Sequence, residues 1–447
     1  MNTRTRYLVK SAAVLLAIIA MNTTLLAADF SGKWIAQIAT LGEPQYARVS
    51  LEVNGTSVTG TWGESKISGS ISVDKLDIKL ISREGSSAGD LTAMWSGNTF
   101  TGIGTIRTAG GGRGAGGRAG GGGGNGPVSI TLSRPVTPPE KARTIHFEPA
   151  DFYATYSAAN RPALTIFPGD IVHTWTADAG GVDAKGIRHR GGDSNIGPFY
   201  VEGALPGDTL VVHLLKVRTN RSTARQGTRM NAHAVTAAYL AGAEYDANVT
   251  GEWTLLPEKG IAVPTHPSAH MKNYSIPLKP MLGCISVAPA GDEQFRGGDL
   301  GPFGGNMDYN ENVEGTTLYF PVFHAGALLG MGDGHAAMGD GEVTGSALET
   351  SLDVDFSVDV IQNDSSGQVR AETKDYLIAF GVAGSVPESI QVSTAQLATW
   401  IKKDYKLSDS EVAILFASTL KYDITELVDA HYNVAAKVPK RILDQMK

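Results

Sequence analysis

Apolar and polar residues alternate in short runs between residues 29 and 134. Val49-Ser50-Leu51-Glu52-Val53 puts every second side chain on one face, Asn54-Gly55 supplies a tight reversal, and Val58-Thr59-Gly60-Thr61-Trp62 resumes the alternation. Residues 67–71 and 76–80 repeat the pattern. A period of two broken by hairpin signals predicts a small antiparallel barrel or sandwich. Residues 110–126 are almost all glycine, interrupted mainly by Arg113, Arg118 and Asn125, and predict a hairpin tip without side-chain packing. Their GxGxxG-like spacings lack the flanking strand, helix and downstream acid of a dinucleotide site.

Pro135 to Glu140, with three prolines, predicts a stiff linker over 135–142. Beyond it, β-branched runs at 164–172, 199–203, 209–217, 285–288, 317–322 and 352–362 are separated by Gly, Pro and Asp. The period changes near the end. Residues 394–405, 408–420 and 424–432 space apolar side chains at three and four, with Ser408 and Ser410 as candidate caps, and predict two or three packed helices. The expected class is α+β, predominantly β: a small β domain over 29–134, then a β-rich domain over 143–447 with C-terminal helices.

The first 28 residues follow different rules. Arg4, Arg6 and Lys10 precede an apolar stretch over 12–20, then a polar break and Leu26-Ala27-Ala28. This is the pattern of a cleaved export signal, and the apolar run falls short of the roughly 20 residues needed to span a bilayer. The expected destination is periplasmic or secreted, with no stable membrane span after cleavage.

Composition narrows the partners. The 447 residues carry a formal charge of -7, with 54 glycines and 7% aromatics. A pI near 5.8 offers no basic surface for nucleic acid, so a small or neutral partner is expected. One cysteine, Cys284, leaves no intramolecular disulfide.

The densest chemistry lies in the run 321–342, where Asp333, His335, Asp340 and Glu342 fall close together among glycines. In an extended chain, residues two apart face the same side, which pairs Asp333 with His335 and Asp340 with Glu342. Carboxylates mixed with an imidazole suit a divalent cation that activates water. Asp-Gly pairs also make ordinary turns, and the acidic spacing does not fit a calcium-binding EF-hand loop. Gly304-Gly305-Asn306-Met307-Asp308 delivers an amide and a carboxylate two residues apart. A strand ending at His173 leads to Asp178, and Glu202 sits among apolar residues, where it must be paired, metal-bound or protonated. Among rival nucleophiles, Cys284 lies in an apolar strand and reads as a buried small side chain, while Gly85-Ser86-Ser87 lacks the long Gly/Ser context of a serine amidase. No Gly-x-Ser-x-Gly elbow stands near a partner His.

The runs 197–210, Gly304 to Asp308 and Pro321 to Glu342, in this order and spacing, resemble the acetamidase/formamidase family over most of the chain from Arg143 onward. The resemblance implies hydrolysis of short aliphatic amides to a carboxylate and ammonia by a β-rich, metal-associated homo-oligomer. It also puts Asp178, Asp308, Asp333, His335 and Glu342 at motif positions. The roles expected on that basis are a cation held by Asp178, Asp308, Asp333 and His335, with Glu342 carrying the proton. Asp340 would orient Glu342 or His335, Asn306 would donate to the oxyanion, and Glu202 would add acid–base capacity. Zn²⁺ is the first choice because a His is present, with Ca²⁺ or Mg²⁺ open if His335 stands outside the ligand set. The export signal, the added β module and the basic stretch Arg188-His189-Arg190 depart from the family pattern, and the last could receive a carboxylate on a larger amide. The alternative from another class is a non-catalytic binding or scaffold protein built on the same body.

Overall fold

A computed structural model describes residues 29–40, 42–106 and 126–446. The export-signal stretch 1–28 and nearly all of the Gly-rich stretch 110–126 lie outside the described residues. Two compact units are present, one ending at Pro135 and the other beginning at Val136.

In the first unit, the expected alternation becomes a closed barrel. Among the described residues its eight antiparallel strands are Gly32–Ile38, Gln45–Asn54, Ser57–Trp62, Ser65–Ser72, Lys75–Ile81, Ser87–Ser96, Thr99–Ile106 and Val128–Ser133. The last strand pairs with the first, Ile38 opposite Ile130, so no edge is left open. Inward positions fill the interior with Trp34, Leu51, Val58, Leu76, Phe100 and Leu132, and the Trp34 and Phe100 rings lie 5.4 Å apart. The Arg134 guanidinium covers Trp34 at 3.9 Å.

The second unit is built on two facing sheets. The larger runs, in order, Lys421–Glu426, Tyr432–Pro439, Tyr376–Ala383, Arg370–Glu372, Thr317–Pro321, Thr209–Thr219, Leu352–Ile361, Ile171–Thr176 and Thr144–His146. The smaller runs Leu164–Ile166, Asn195–Val201, Leu329–His335, Met281–Ser286, Gly304–Asn306 and Leu300–Gly301. Alternate side chains interdigitate between them, among them Phe199, Leu329 and Met331 from one sheet against Val212, Phe320 and Phe356 from the other. The opposite face of the larger sheet is covered by helices Val386–Tyr405 and Asp409–Thr419. No helix among the described residues is long and apolar enough to cross a membrane.

Three local expectations are corrected. The run 164–172 is two strands in different sheets, because the chain turns at Pro168-Gly169, where the Asp170 N–H donates to the Phe167 carbonyl at 3.0 Å. Ser408 does cap a helix, accepting from the Glu411 N–H in a capping box, whereas Ser410 lies inside that helix. Residues 424–432 are not helical. They finish one strand, reverse, and enter the next, with Ile424 opposite Val434. Apolar spacings of three and four there come from two strands meeting around a turn.

Candidate functional site

Strand Leu329–His335 is buried along its whole length between Asn195–Val201 and Met281–Ser286. Glycines at alternate positions let the backbones meet: a Cβ on Gly332 would stand 2.2 Å from the Ser194 carbonyl oxygen. Asp333 and His335 emerge at the end of this strand. The chain then reverses, and the Ala336 N–H donates to Leu348 while the Thr350 N–H donates to Gly334, at 2.8 and 2.7 Å. That return places Glu349 opposite His335. Asp308 arrives from beyond Gly304–Asn306, its N–H and that of Met307 both donating to the Gly283 carbonyl.

These elements gather five buried groups. His335 Nε2 lies 3.1 Å from Asp333 Oδ1, 3.3 Å from Glu349 Oε1 and 3.9 Å from Glu342 Oε1, and its Nδ1 lies 3.8 Å from Asp308 Oδ1. Asp308 with His335 and Glu342, and Asp333 with His335 and Glu349, each present ligand atoms within 4.8 Å of one another. Both Asp308 carboxyl oxygens and His335 Nδ1 are buried with no hydrogen-bond partner. Unsatisfied buried polar atoms of this kind are costly unless a ligand completes them. Space for one is kept by Gly283, where a Cβ would fall 2.2 Å from Asp333 Oδ2 and 2.7 Å from Asp308 Oδ1. Asp308, Asp333 and Glu342 all adopt left-handed backbone, at φ of 42°, 54° and 43°. Such strain concentrates where side-chain direction matters more than local stability. The orphaned oxygens, the glycine cradle and the mixed carboxylate and imidazole donors all fit a divalent cation.

Electrostatics agree with the geometry. Burial pushes Asp308 and Glu342 well above the usual carboxylate range; Glu342 and Asp333 add to this at Asp308, while at Glu342 the His335 ring opposes it. Burial disfavours charge on His335, but Asp333 and Glu349 outweigh it and hold the imidazole protonated well above its ordinary range. Asp193 and Glu426 are pushed up to about 8 and about 7, by burial first and by neighbouring carboxylates next. Unfolded carboxyls titrate near ~4. Between roughly pH 4 and pH 8 the metal-free folded chain therefore keeps protons that the unfolded chain has released, and its stability falls as pH rises. The thermal midpoint of chelated protein, followed by calorimetry, is expected to drop from about pH 5 to about pH 8, and added divalent cation should offset the drop. A midpoint that climbs across this window in chelated protein would contradict the assignment.

Not every expected residue is part of this group. Asp178 is paired with Arg221, Oδ2 to Nη2 at 2.5 Å, and its other oxygen accepts from the Val182 N–H at 2.8 Å, so both are engaged elsewhere. Asp340 is exposed and accepts from Asn310 Nδ2 at 2.7 Å instead of orienting Glu342 or His335, because the chain has left the extended conformation after His335. Glu202 follows the far end of strand Asn195–Val201, whereas it is Asn195 that pairs beside Gly332 next to Asp333; burial alone raises Glu202. Asn306 borders the group, but its Nδ2 donates to Asp429 at 2.8 Å and its Oδ1 accepts from Cys284 at 2.9 Å. Cys284 is indeed buried, and burial together with Asp333, Asp193 and Asp308 pushes its thiol up, away from a nucleophilic thiolate. Sequence reasoning missed Glu349, Asp193, Glu426 and Asp429. The available signal for Glu349 was the Gly339-Asp340-Gly341 reversal, which folds the chain back along His335.

A sequence model of the Acetamidase/Formamidase family matches residues 302–392, the segment that carries Asp308, Asp333, His335, Glu342 and Glu349. An acetamidase of Mycolicibacterium smegmatis is 40% identical over 60 residues, a match covering 13% of this chain and 15% of that protein. Among solved structures, a recombinant predicted acetamidase/formamidase from Thermoanaerobacter tengcongensis superposes with a TM-score of 0.59 at 26% identity, covering 68% of this chain and 99% of that one. An acetamidase from Yersinia enterocolitica shares the fold, with a TM-score of 0.58 at 24% identity over 69% of this chain and 96% of that one. By the matched motif segment, and by a fold shared with the Thermoanaerobacter tengcongensis protein over 99% of that chain, this chain is similar to the acetamidase/formamidase family and carries an eight-stranded barrel in addition.

Proposed function

We propose that the second unit hydrolyses the C–N bond of a small linear amide of the formamide or acetamide type, giving a carboxylate and ammonia. The observation that carries this reading is Asp308, fully buried with both oxygens unpartnered, beside His335 and Glu342. Asp308, Asp333 and His335 would hold a divalent cation, Glu349 replacing Asp178 in the expected set, and when bound the cation would polarise a carbonyl and acidify water. Zinc suits the imidazole best, with calcium or magnesium as the oxygen-loving alternatives.

Within this arrangement Glu342 is the proton carrier. Its burial favours the neutral acid and the neighbouring His335 favours the anion, which poises it to take a proton from water and return it to the departing nitrogen. Glu342 and Glu349 keep side-chain exposures of 8% and 13%, against none for His335 and Asp308, so a substrate approaches from their side. So little opening favours short amides. Arg221 holds Asp178 and also donates to the Glu349 carbonyl at 3.0 Å, which fixes the returning strand. We further propose that residues 1–28 direct export and that the protein assembles as a homo-oligomer.

The test is ammonia release from formamide, acetamide and longer amides, with and without a chelator. Turnover that disappears on chelation and returns with metal supports the proposal. Binding without ammonia release in metal-loaded protein would instead favour the non-catalytic scaffold.

A further inference from the structure

The helix-covered face of the larger sheet holds a second candidate site. In strand Thr317–Pro321, Leu318 and Phe320 enter the core between the two sheets, so Tyr319 points the other way. Arg370 does the same beside Ala371, and the register places Arg370 directly opposite Tyr319. Between these residues, Leu377 and helix Val386–Tyr405 lies a cavity of about 630 Å³. This volume is typical of small-molecule sites and is separated by the sheet from the acidic centre.

Arg370 is the unusual group in this cavity. Its guanidinium stacks 4.5 Å from the Trp400 ring and 5.5 Å from the Tyr319 ring, and its Nε is buried without a hydrogen-bond partner. Each neighbouring acid is already taken. Glu372 pairs with Lys440 and accepts from the Tyr319 hydroxyl at 3.1 Å, Asp404 accepts from Trp400 Nε1 at 2.8 Å, and Asp364 pairs with Lys403. Asp364 and Asp404 favour the charge of this guanidinium, but neither meets it as a carboxylate accepting two parallel N–H bonds, the partner its fork geometry suits. The paired acids around it would repel a dianion, so a monoanion fits best. Leu377, Trp400 and the half-exposed Ile361 offer that ligand an apolar wall.

We propose that this groove binds a small organic carboxylate with an apolar or aromatic body, held by Arg370 between Trp400 and Tyr319. Calorimetric titration of the full chain with benzoate, benzamide and inorganic phosphate tests it. Benzoate is expected to bind wild-type and Glu342→Gln protein equally, and to bind Arg370→Met at least about tenfold more weakly, the usual loss of a charge-assisted pair. Benzamide and phosphate should each bind wild type at least about tenfold more weakly than benzoate. Ile361→Trp, a surface change that narrows the groove, should weaken benzoate similarly and provides a readout if Arg370→Met does not fold. Unchanged benzoate affinity in Arg370→Met or Ile361→Trp, benzamide or phosphate binding as tightly as benzoate, or no benzoate binding to wild type would overturn the assignment. None of these readouts depends on amide turnover.

Discussion

Glu342→Gln is expected to lower kcat for amide hydrolysis by about a thousandfold, within the range for losing a positioned acid–base group, while the fold and metal content remain. Gln keeps the size and one carbonyl oxygen but can neither accept nor release a proton. The change removes one of several mutually repelling buried acids, so the protein should be no less stable than wild type. Parallel measurement of ammonia release and thermal unfolding separates the two effects. A variant that retains more than about a tenth of the wild-type rate would remove Glu342 from the chemistry.

Gly283→Ala is expected to disrupt the same centre without touching an ionisable group. The added methyl would lie 2.2 Å from Asp333 Oδ2 and 2.7 Å from Asp308 Oδ1, far inside contact distance. Asp333 has little room to retreat, since its backbone is left-handed and its other oxygen engages His335 at 3.1 Å. Overpacking of this kind costs about 1–3 kcal/mol. The larger effect is on function, because the two carboxylates diverge: metal affinity and turnover should each fall by about ten- to a hundredfold. Full activity with an unchanged metal content would show that the space at Gly283 has no part in ligand binding.

Which parts were legible in the sequence follows from range. Asp333 and His335 share one strand, so their common face could be read from spacing alone, and the structure brings them to 3.1 Å. The barrel strands were equally local, each alternating run ending at its own turn. Asp340 and Glu342 were read with the same rule, but the chain turns after His335, and the rule ends where the strand ends. Asp178 resembled a ligand because its partner Arg221 is far along the chain, and only the fold brings them together. Asp193, Glu426 and Asp429 reach the centre through strand register and turns that no short motif encodes. Residues 424–432 misled for a related reason, since pairing at a sheet edge overrides a helical spacing of apolar residues.

Elemental analysis of full-length protein purified without chelator tests the central claim most directly. The account predicts about one divalent metal per chain, lost together with ammonia release when Asp308 and Asp333 are both changed to Asn. Wild-type protein that hydrolyses amides at full rate while free of metal would contradict it.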